Sequence, residues 1–225
     1  MENQEEVWNN IAEPWKTFRN VRPIDEVVDF LKDKNGKILD LGCGSGRNFA
    51  KIDGTIYGAD FSENMLKFAK EFADKKGFNV KLVKADTWNL PFEDNFFDSA
   101  ICASVIHCIP TEEKREKALR ELFRVLKPKA EAWISVWNRN QERFRNSERE
   151  SLIPWEYDGK KHMRYYYLYD RKEFLEFLKK VGFEIIKVSD KETPDGFYSK
   201  RNIDVIVKKP FFQHNASGFR LQSLL

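Results

Sequence analysis

Five short β-rich runs alternate with amphipathic helical runs along most of the chain, and this alternation limits the possible fold more than any other feature. The β-rich runs occupy residues 37–41, 55–60, 80–85, 97–103 and 132–137. Helical runs begin after Ser62 and after Thr111, both favourable N-cap residues, and the second run is expected to continue until Pro128 stops it. Strands that alternate with helices pair through right-handed crossovers, so the pattern predicts an α/β protein with a doubly wound, mostly parallel sheet.

The C-terminal part adds two strands to this sheet. A helical run at 170–181 precedes β-rich runs at 184–189 and 203–207, which predict a closing antiparallel hairpin. The expected sheet therefore has seven strands, with one antiparallel strand near the C-terminus. We expect a single domain over residues 1–210 and a tail over 211–225, where no hydrophobic period is visible.

Two segments lie outside the alternation. Residues 1–35 precede the first strand and contain helical runs at 5–18 and 23–32, which predict a helical cap. Residues 138–167 follow the fifth strand and are polar and basic at first, then aromatic. Because ligands of doubly wound sheets bind outside the carboxyl ends of the strands, we expect this insertion to lie over an acceptor site there.

Composition excludes several classes of protein. Hydrophobic residues make up 41% of the 225 residues, with 19 Phe and 6 Trp, which is enough for a large core and excludes extensive disorder. The mean hydropathy is −0.62, and no apolar run reaches the ~18 residues of a membrane-spanning helix. The polar N-terminal stretch lacks the apolar core of a secretory signal. Three Cys without a Cys-x-x-Cys pair and three His without ligand spacing predict a cytoplasmic protein with reduced thiols and no metal site.

The segment after the first predicted strand carries the strongest functional signal. Its glycines permit a sharp turn and a close approach of a ligand, and they are Gly42, Gly44 and Gly46. Asp60 ends the second strand about 20 residues after Asp40, where a carboxylate can bind both ribose hydroxyls. Arg47 stands where the dinucleotide fingerprint G-x-G-x-x-G requires glycine, which disfavours a nicotinamide or flavin enzyme. The alternative is an ordinary strand-to-helix turn that binds no ligand.

Residues at the ends of the third and fourth strands complete a wider pattern. Asp86 and Thr87 follow the third strand, where a carboxylate can accept a hydrogen bond from an adenine amino group. In order and spacing, residues 36–137 resemble the class I S-adenosylmethionine-dependent methyltransferases, which have a Rossmann-like sheet. The resemblance implies that S-adenosylmethionine is the cofactor and that the following residues bind it: Asp40, Gly42, Cys43, Gly44, Gly46, Asp60, Phe61, Met65, Asp86, Thr87, Ala103 and Ser104.

Segments outside this region resemble a narrower family, the tRNA wobble-uridine carboxymethyl methyltransferases. The similar segments are residues 8–12, 18–19, 22–23, 103–107, 136–137, 141–142, 153–155 and 164–166. The sequence departs from that family at Cys108 and Tyr167, where the family has histidine. The resemblance implies methyl esterification of 5-carboxymethyluridine in the tRNA anticodon loop. It also implies a small zinc-binding activator subunit that adds a strand beside the cofactor sheet.

A carboxymethyl acceptor has a simple chemical requirement. Its pKa is ~4, so it is ionised at neutral pH and needs positioning but no general base. Arg19 and Arg164 are candidates to clamp the carboxylate, because a guanidinium can bind two oxygens at once. His107 is a candidate donor in the acceptor pocket, and Tyr165 with Tyr166 is a candidate base-stacking pair. Two alternatives stay open: Arg19 caps a helix or pairs with a carboxylate, and the tyrosines belong to a β-strand of the core.

The insertion also carries a run of basic residues. They are Arg139, Arg143, Arg145, Arg149, Lys160 and Lys161. These side chains can bind phosphates, although interleaved acidic residues also fit a solvated charged loop. Two other functions stay open: a methyltransferase for small metabolites and a non-catalytic protein that binds S-adenosylmethionine.

Overall fold

The structure is a computed structural model that describes residues 2–19, 22–190, 192 and 198–211, with the side chain of residue 19 outside the described part. Its strands are β1 (Asn35–Leu41), β2 (Asp53–Asp60), β3 (Val80–Lys84), β4 (Phe97–Ala103), β5 (Leu126–Trp137), β6 (Glu150–Tyr157), β7 (Lys160–Tyr167), β8 (Glu184–Ser189) and β9 (Asn202–Lys208). Its helices are α1 (Gln4–Asn10), α2 (Ala12–Arg19), α3 (Asp25–Leu31), α4 (Glu63–Lys76), α5 (Glu112–Val125) and α6 (Arg171–Val181).

Seven strands form one sheet in the order β3-β2-β1-β4-β5-β9-β8. Strand β9 is antiparallel to both of its neighbours, and the other pairs in the sheet are parallel. The predicted α/β fold, with seven strands and one antiparallel strand near the C-terminus, is therefore confirmed. The order reverses between β1 and β4, so the carboxyl ends of these strands form a crevice in which a ligand can bind.

The N-terminal cap is divided more finely than its hydrophobic period predicts. The expected single helix over 5–18 is two helices, and Ile11 between them is fully buried. Pro14 explains the break, because it has no N–H to donate to the Asn10 carbonyl and is tolerated only in a first helical turn. As the third residue of α2, Pro14 meets that condition.

Helix α5 ends earlier than expected. Its last residue is Val125, and Leu126 has φ −73° and ψ 140°, which is extended backbone. Pro128 lies inside β5 rather than just past a helix end. A residue before proline is pushed toward extended backbone, so Lys127 is unfavourable in a helix. The chain therefore leaves the helix one residue earlier and enters β5 at Leu126.

The segment over 138–167 contains a β-hairpin of its own. Strands β6 and β7 pair from Tyr157 and Lys160 at the turn to Glu150 and Tyr167 at the open end. The aromatic part of the segment is therefore a strand, as one of the two interpretations of the tyrosines predicts. Arg149 is bound to Asp170 (3.0 Å) and to Glu173, so it fixes the base of the hairpin to α6.

Candidate active site

A cleft of about 730 Å³ opens at the carboxyl ends of β1 to β4. All the predicted cofactor-binding residues except Asp40 and Gly46 line this cleft, and so does His107. The cap and the hairpin supply the opposite wall through Trp8, Trp15, Phe18 and Tyr166. The volume lies within the ~300–1,000 Å³ that is usual for small-molecule and cofactor sites.

The glycine loop is tied to β2 and leaves space on its cleft side. The N–H of Gly42 donates to the carbonyl of Ala59 at 2.7 Å. Gly42 has φ +69°, and a Cβ there would lie 2.4 Å from Cγ2 of Val105, so the backbone requires glycine. Gly44 has φ +53°, but a Cβ there would meet nothing within 4 Å. The open space beside Gly44 lets a ligand approach the backbone closely.

Asp60 is fixed at the end of β2 by two backbone donors. Its Oδ2 accepts the N–H of Gly44 and its Oδ1 accepts the N–H of Ser62, both at 2.9 Å. Burial raises the pKa of Asp60 to about 6, and the backbone N–H donors of Ser62, Gly44 and Phe61 oppose this rise. Asp60 therefore holds the glycine loop in place and borders the cleft at the position predicted for a ribose ligand.

Asp40 lies behind the glycine loop. Its side chain is 1% exposed, and neither carboxyl oxygen has a hydrogen-bond partner among the described residues. Burial, followed by the charge of Asp60, raises the pKa of Asp40 to about 7. Two neighbouring buried carboxyls beside a glycine cradle fit a ligand that carries positive charge and ribose hydroxyls, as S-adenosylmethionine does.

The end of the cleft near β3 contains a residue that the sequence did not single out. Trp88 follows Asp86 and Thr87 and lines the cleft with them. The ammonium group of Lys114 lies 4.3 Å from the centre of a Trp88 ring. Burial raises the pKa of Asp86, and the charge of Lys114 opposes this rise. An aromatic residue directly after the expected adenine-binding pair was a signal that sequence reasoning missed.

His107 is a neutral hydrogen-bond donor at the other end of the cleft. It is fully buried in the 3₁₀ helix Ile106–Cys108, and its Nδ1 accepts the N–H of Trp137 at 3.3 Å. This bond assigns the ring proton to Nε2, which has no partner among the described residues. Burial, with a smaller effect of Arg143, lowers the pKa of His107 to about 3. The imidazole can therefore donate a hydrogen bond but cannot act as a general base near neutral pH.

Aromatic rings stack around this histidine. Tyr166 and Trp137 are nearly parallel, with ring centres 4.1 Å apart and planes at 6°. The centre of the His107 ring lies 5.3 Å from that of Trp137 and 5.5 Å from that of Tyr166. These stacked rings form a rigid aromatic wall at this end of the cleft, which is the predicted acceptor end.

Arg164 packs against Tyr166 on the same face of β7, and Tyr165 lies on the opposite face. Arg164 is 5% exposed and does not line the cleft; its Nη1 donates to the Tyr166 hydroxyl at 2.8 Å. Its guanidinium carbon lies 5.1 to 6.0 Å from the rings of Trp8, Trp15, Trp155 and Tyr166. Tyr165 is 4% exposed, and its hydroxyl accepts from Arg115 at 3.1 Å. Neither placement matches direct contact with an acceptor, and the side chain of Arg19 lies outside the described residues.

Hydrogen bonds join this wall to the cofactor end. Gln4 in α1 donates to the carbonyl of Met163 at 3.1 Å and accepts the N–H of Tyr165 at 2.9 Å. Asn9 in the same helix accepts from the hydroxyl of Ser62 at 2.7 Å. Because Ser62 also binds Asp60, α1 links the hairpin to the predicted ribose site.

The described residues contain no group of His, Cys, Asp and Glu side chains that could hold a metal ion. No helix in the described ranges has the length and apolar character needed to cross a membrane.

Comparison with known proteins agrees with the geometry. A family model described as a methyltransferase domain matches residues 39–134. A protein of Encephalitozoon cuniculi (strain GB-M1) that is named as a methyltransferase is 32% identical over 168 residues, which are 71% of this chain and 75% of that protein. The chain belongs to the class I S-adenosylmethionine-dependent methyltransferases, and its cofactor is S-adenosylmethionine.

Other relatives have names that refer to tRNA. "Probable tRNA methyltransferase 9B" of Mus musculus is 33% identical over 153 residues, 66% of this chain and 32% of that protein. A tRNA (carboxymethyluridine(34)-5-O)-methyltransferase of Arabidopsis thaliana is 39% identical over 120 residues, 52% of this chain and 28% of that protein. The chain thus spans about a third of the length of these two relatives.

One relative is named for a different substrate. The ubiquinone/menaquinone biosynthesis C-methyltransferase UbiE of Yersinia pestis is 40% identical over 123 residues, 51% of this chain and 45% of that protein.

Among solved structures, the complex between the Haloferax volcanii Trm112 methyltransferase activator and a methyltransferase has a TM-score of 0.71 at 16% identity. It covers 95% of this chain and all of the matched one, and at that identity the likeness concerns the fold.

Proposed function

We propose that this enzyme methylates a carboxylate on a modified wobble uridine of tRNA, most simply 5-carboxymethyluridine. One observation carries the proposal: at the acceptor end of the cleft the buried His107 already accepts the N–H of Trp137 at Nδ1, so its ring has a donor at Nε2 and no free basic nitrogen. A carboxylate is already ionised at neutral pH, so it needs no base. The names of the mouse and Arabidopsis relatives support tRNA as its carrier.

The chemistry balances without a proton transfer. S-Adenosylmethionine supplies an activated methyl group on a sulfonium. A carboxylate oxygen forms a bond to the methyl carbon while the carbon–sulfur bond breaks and its electron pair goes to sulfur. The products are a neutral ester and a neutral thioether, so one negative and one positive charge disappear together. The reaction therefore depends mainly on alignment and on exclusion of water.

The chain's own residues supply that alignment. Gly44 and Asp60 hold the methionine and ribose parts of the cofactor, and the buried Asp40 favours its positive charge. His107 donates from Nε2 to an acceptor oxygen, and the aromatic stack of Trp137 and Tyr166 borders the space for the base. Arg164 supports this wall through its hydrogen bond to Tyr166, and a role for Arg19 in the acceptor site stays a prediction.

Phosphate binding is assigned to basic residues of the segment over 138–167. They are Arg139, Arg143, Arg145, Lys160 and Lys161. Arg149 is excluded from this set, because it is bound to Asp170 and Glu173. Contacts of this kind make affinity for RNA fall steeply with salt. A cytoplasmic location stays a prediction.

A protein activator is the second proposed partner. Strand β3 is at the edge of the sheet and pairs with β2; no other described strand pairs with it. Its unpaired edge can accept an added strand. The fold likeness to the methyltransferase that was solved with the Trm112 activator supports such a partner.

The direct test is transfer of a labelled methyl group to tRNA from a strain that lacks this gene, with and without an activator subunit. We expect label on tRNA from the wild-type chain and none from Gly44→Ala, which fills the space beside the loop. The small-molecule alternative, favoured by the UbiE relative, predicts label in a metabolite extract and none on tRNA. A carbon acceptor normally loses a proton on methylation, and the neutral His107 does not provide the base for it.

A further inference from the structure

Four residues that line the cleft have a buried polar side-chain atom without a hydrogen-bond partner among the described residues. Thr87 lies at the cofactor end, and Asn48 follows the glycine loop. The other two are His107, through Nε2, and Asn202, through the amide oxygen Oδ1. An unpartnered buried polar atom costs stability. A donor and an acceptor that are both unpaired at one place therefore indicate a ligand with the complementary pair of groups.

His107 and Asn202 flank the last residue of β5. The N–H of Trp137 donates to Nδ1 of His107 at 3.3 Å, and Trp137 is directly opposite Asn202 in the antiparallel pair of β5 and β9. The N–H of Asn138 donates to the carbonyl of Arg201 at 3.3 Å. Trp137 and Asn202 are therefore a pair without mutual hydrogen bonds, with Cα atoms roughly 4.5 Å apart. Opposite side chains share a face of the sheet, so Asn202 lies beside the Trp137 ring at the acceptor end.

The orientation of the Asn202 amide is fixed by its nitrogen. Nδ2 of Asn202 donates to the carbonyl of Tyr198 at 2.8 Å. A carbonyl cannot donate, so this bond distinguishes the amide nitrogen from the amide oxygen. Tyr198 is itself held in place, because its N–H donates to Glu26 of α3 at 2.9 Å and its hydroxyl is hydrogen-bonded to that of Ser104, directly after β4. Oδ1 of Asn202 is therefore a preorganised acceptor.

We propose that Oδ1 of Asn202 and the Nε2–H of His107 together bind one edge of the acceptor base. Asn202 accepts an N–H of the base, and His107 donates to a neighbouring carbonyl oxygen. This inference rests on the proposed function and assigns the residue that selects its base. Uracil has the required edge, because its N3–H lies between two carbonyls. Cytosine has an unprotonated N3, whose lone pair would face the lone pairs of Asn202.

Burial makes this pair of groups selective. His107 is fully buried and Asn202 is 4% exposed, so water competes little for either polar atom. A base with the wrong edge would leave the partner atoms unpaired in these surroundings, and sites built in this way reject such analogues strongly. Methyl transfer to a carboxylate arm needs no proton transfer from Asn202. Asn202 therefore determines which base is accepted and leaves the chemistry to the cofactor.

The test compares two acceptors in competition. The probes are two otherwise identical tRNAs that carry 5-carboxymethyluridine or 5-carboxymethylcytidine at the wobble position, and the readout is the ratio of their kcat/KM values. We expect the wild-type chain to prefer the uridine form by about tenfold or more, and Asn202→Ala to lower this preference by about tenfold. Asn202→Asp keeps an acceptor oxygen at the same place, so it should retain the preference.

Asn138→Ala is the matched control. Asn138 is also a buried amide with 4% exposure, at the same end of β5, but it does not line the cleft. Its Oδ1 already accepts the N–H of Asn140 at 2.9 Å. The control should lose stability and keep the preference for uridine. A ratio of two substrates does not depend on the fraction of folded enzyme, so reduced stability alone leaves it unchanged. A melting temperature that rises with S-adenosylhomocysteine shows that the cofactor site of each variant is intact.

Three results would overturn the inference and leave the proposed function standing. The first is a wild-type chain that methylates both tRNAs equally well. The second is a preference for uridine that is unchanged in Asn202→Ala. The third is a preference that is lost to the same extent in Asn202→Asp or in Asn138→Ala, since the effect would then come from packing at this end of the sheet. If the wild-type chain methylates neither tRNA, with or without an activator subunit, the proposed function fails and the assignment of Asn202 fails with it.

Discussion

Replacement of His107 by asparagine tests the buried neutral imidazole through protein stability. The amide oxygen of Asn can accept the N–H of Trp137 as Nδ1 does, but it does not titrate. In the unfolded chain a histidine has a pKa near 6.5, whereas burial lowers the pKa of His107 to about 3. Below pH ~6.5 the unfolded state binds the proton and the folded state does not, so acid removes stability from the wild-type chain.

The size of this effect follows from the two pKa values. Between pH ~8 and pH ~5 the wild-type chain should lose roughly 2 kcal/mol of unfolding free energy through His107 alone. Asp40 and Asp60 act in the opposite direction, because burial raises their pKa values to about 7 and about 6. Both carboxyls are present in the variant too, so their contribution cancels in the difference between the two proteins.

Urea unfolding at matched ionic strength gives the difference directly. We expect the free-energy gap between the wild-type chain and His107→Asn to shrink by about 2 kcal/mol from pH ~8 to pH ~5. The loss of packing caused by the smaller side chain is the same at both pH values, so it does not alter the pH-dependent change of the free-energy gap. A gap that is constant with pH, or that widens in acid, would refute the assignment of His107 as a buried, uncharged donor.

Four further predictions follow from the site. Gly44→Ala should fold with a loss of about 1–2 kcal/mol of unfolding free energy, because alanine is strained at the positive φ of residue 44 although its Cβ would meet no neighbouring atom. S-Adenosylhomocysteine should no longer raise the melting temperature of this variant. Gly42→Ala should destabilise the fold more, since its Cβ would lie 2.4 Å from a methyl group, and equal melting temperatures for the two variants would contradict this reasoning. Affinity for S-adenosylhomocysteine, measured by calorimetry, should fall as the pH drops below ~6. Burial raises the pKa of Asp60 to about 6, and a protonated carboxyl binds ribose hydroxyls less well. The same pH dependence of the affinity in Asp60→Asn would rule out this cause. Arg164→Met should keep the fold, because a methionine side chain can still pack among the aromatic rings that surround the guanidinium, but kcat should fall by about tenfold because Tyr166 loses its hydrogen-bond donor; unchanged kcat would show that Arg164 does not position Tyr166.

The sheet was predictable because its signals are local and consistent. Each strand of the main sheet is a short apolar run, and Ser62 caps α4 by accepting the N–H of Met65, as its residue type predicts. The breaks at Ile11 and Val125 were missed because they depend on prolines that lie three residues further along the chain. Proline affects the backbone of residues that precede it, and the spacing of hydrophobic residues does not indicate this effect.

The acceptor wall was predictable only in part. Side chains alternate across a strand, so the adjacent Tyr165 and Tyr166 had to face opposite sides of β7 and could not both meet one base. Which of the two faces the cleft depends on the contacts of Gln4 and Arg115 with the hairpin, more than 45 residues away in sequence. The same long-range packing encloses Arg164 and leaves Arg143 at the cleft, and no local pattern indicates it.

The stability of the product to mild alkali shows whether the acceptor is a carboxylate. After labelled methyl transfer, the wobble nucleoside of the tRNA is isolated and treated with dilute base. The label should leave as methanol, because the expected product is a methyl ester. Label that stays on the nucleoside would place the methyl group on nitrogen, carbon or an ether oxygen, and the acceptor would then not be a carboxylate.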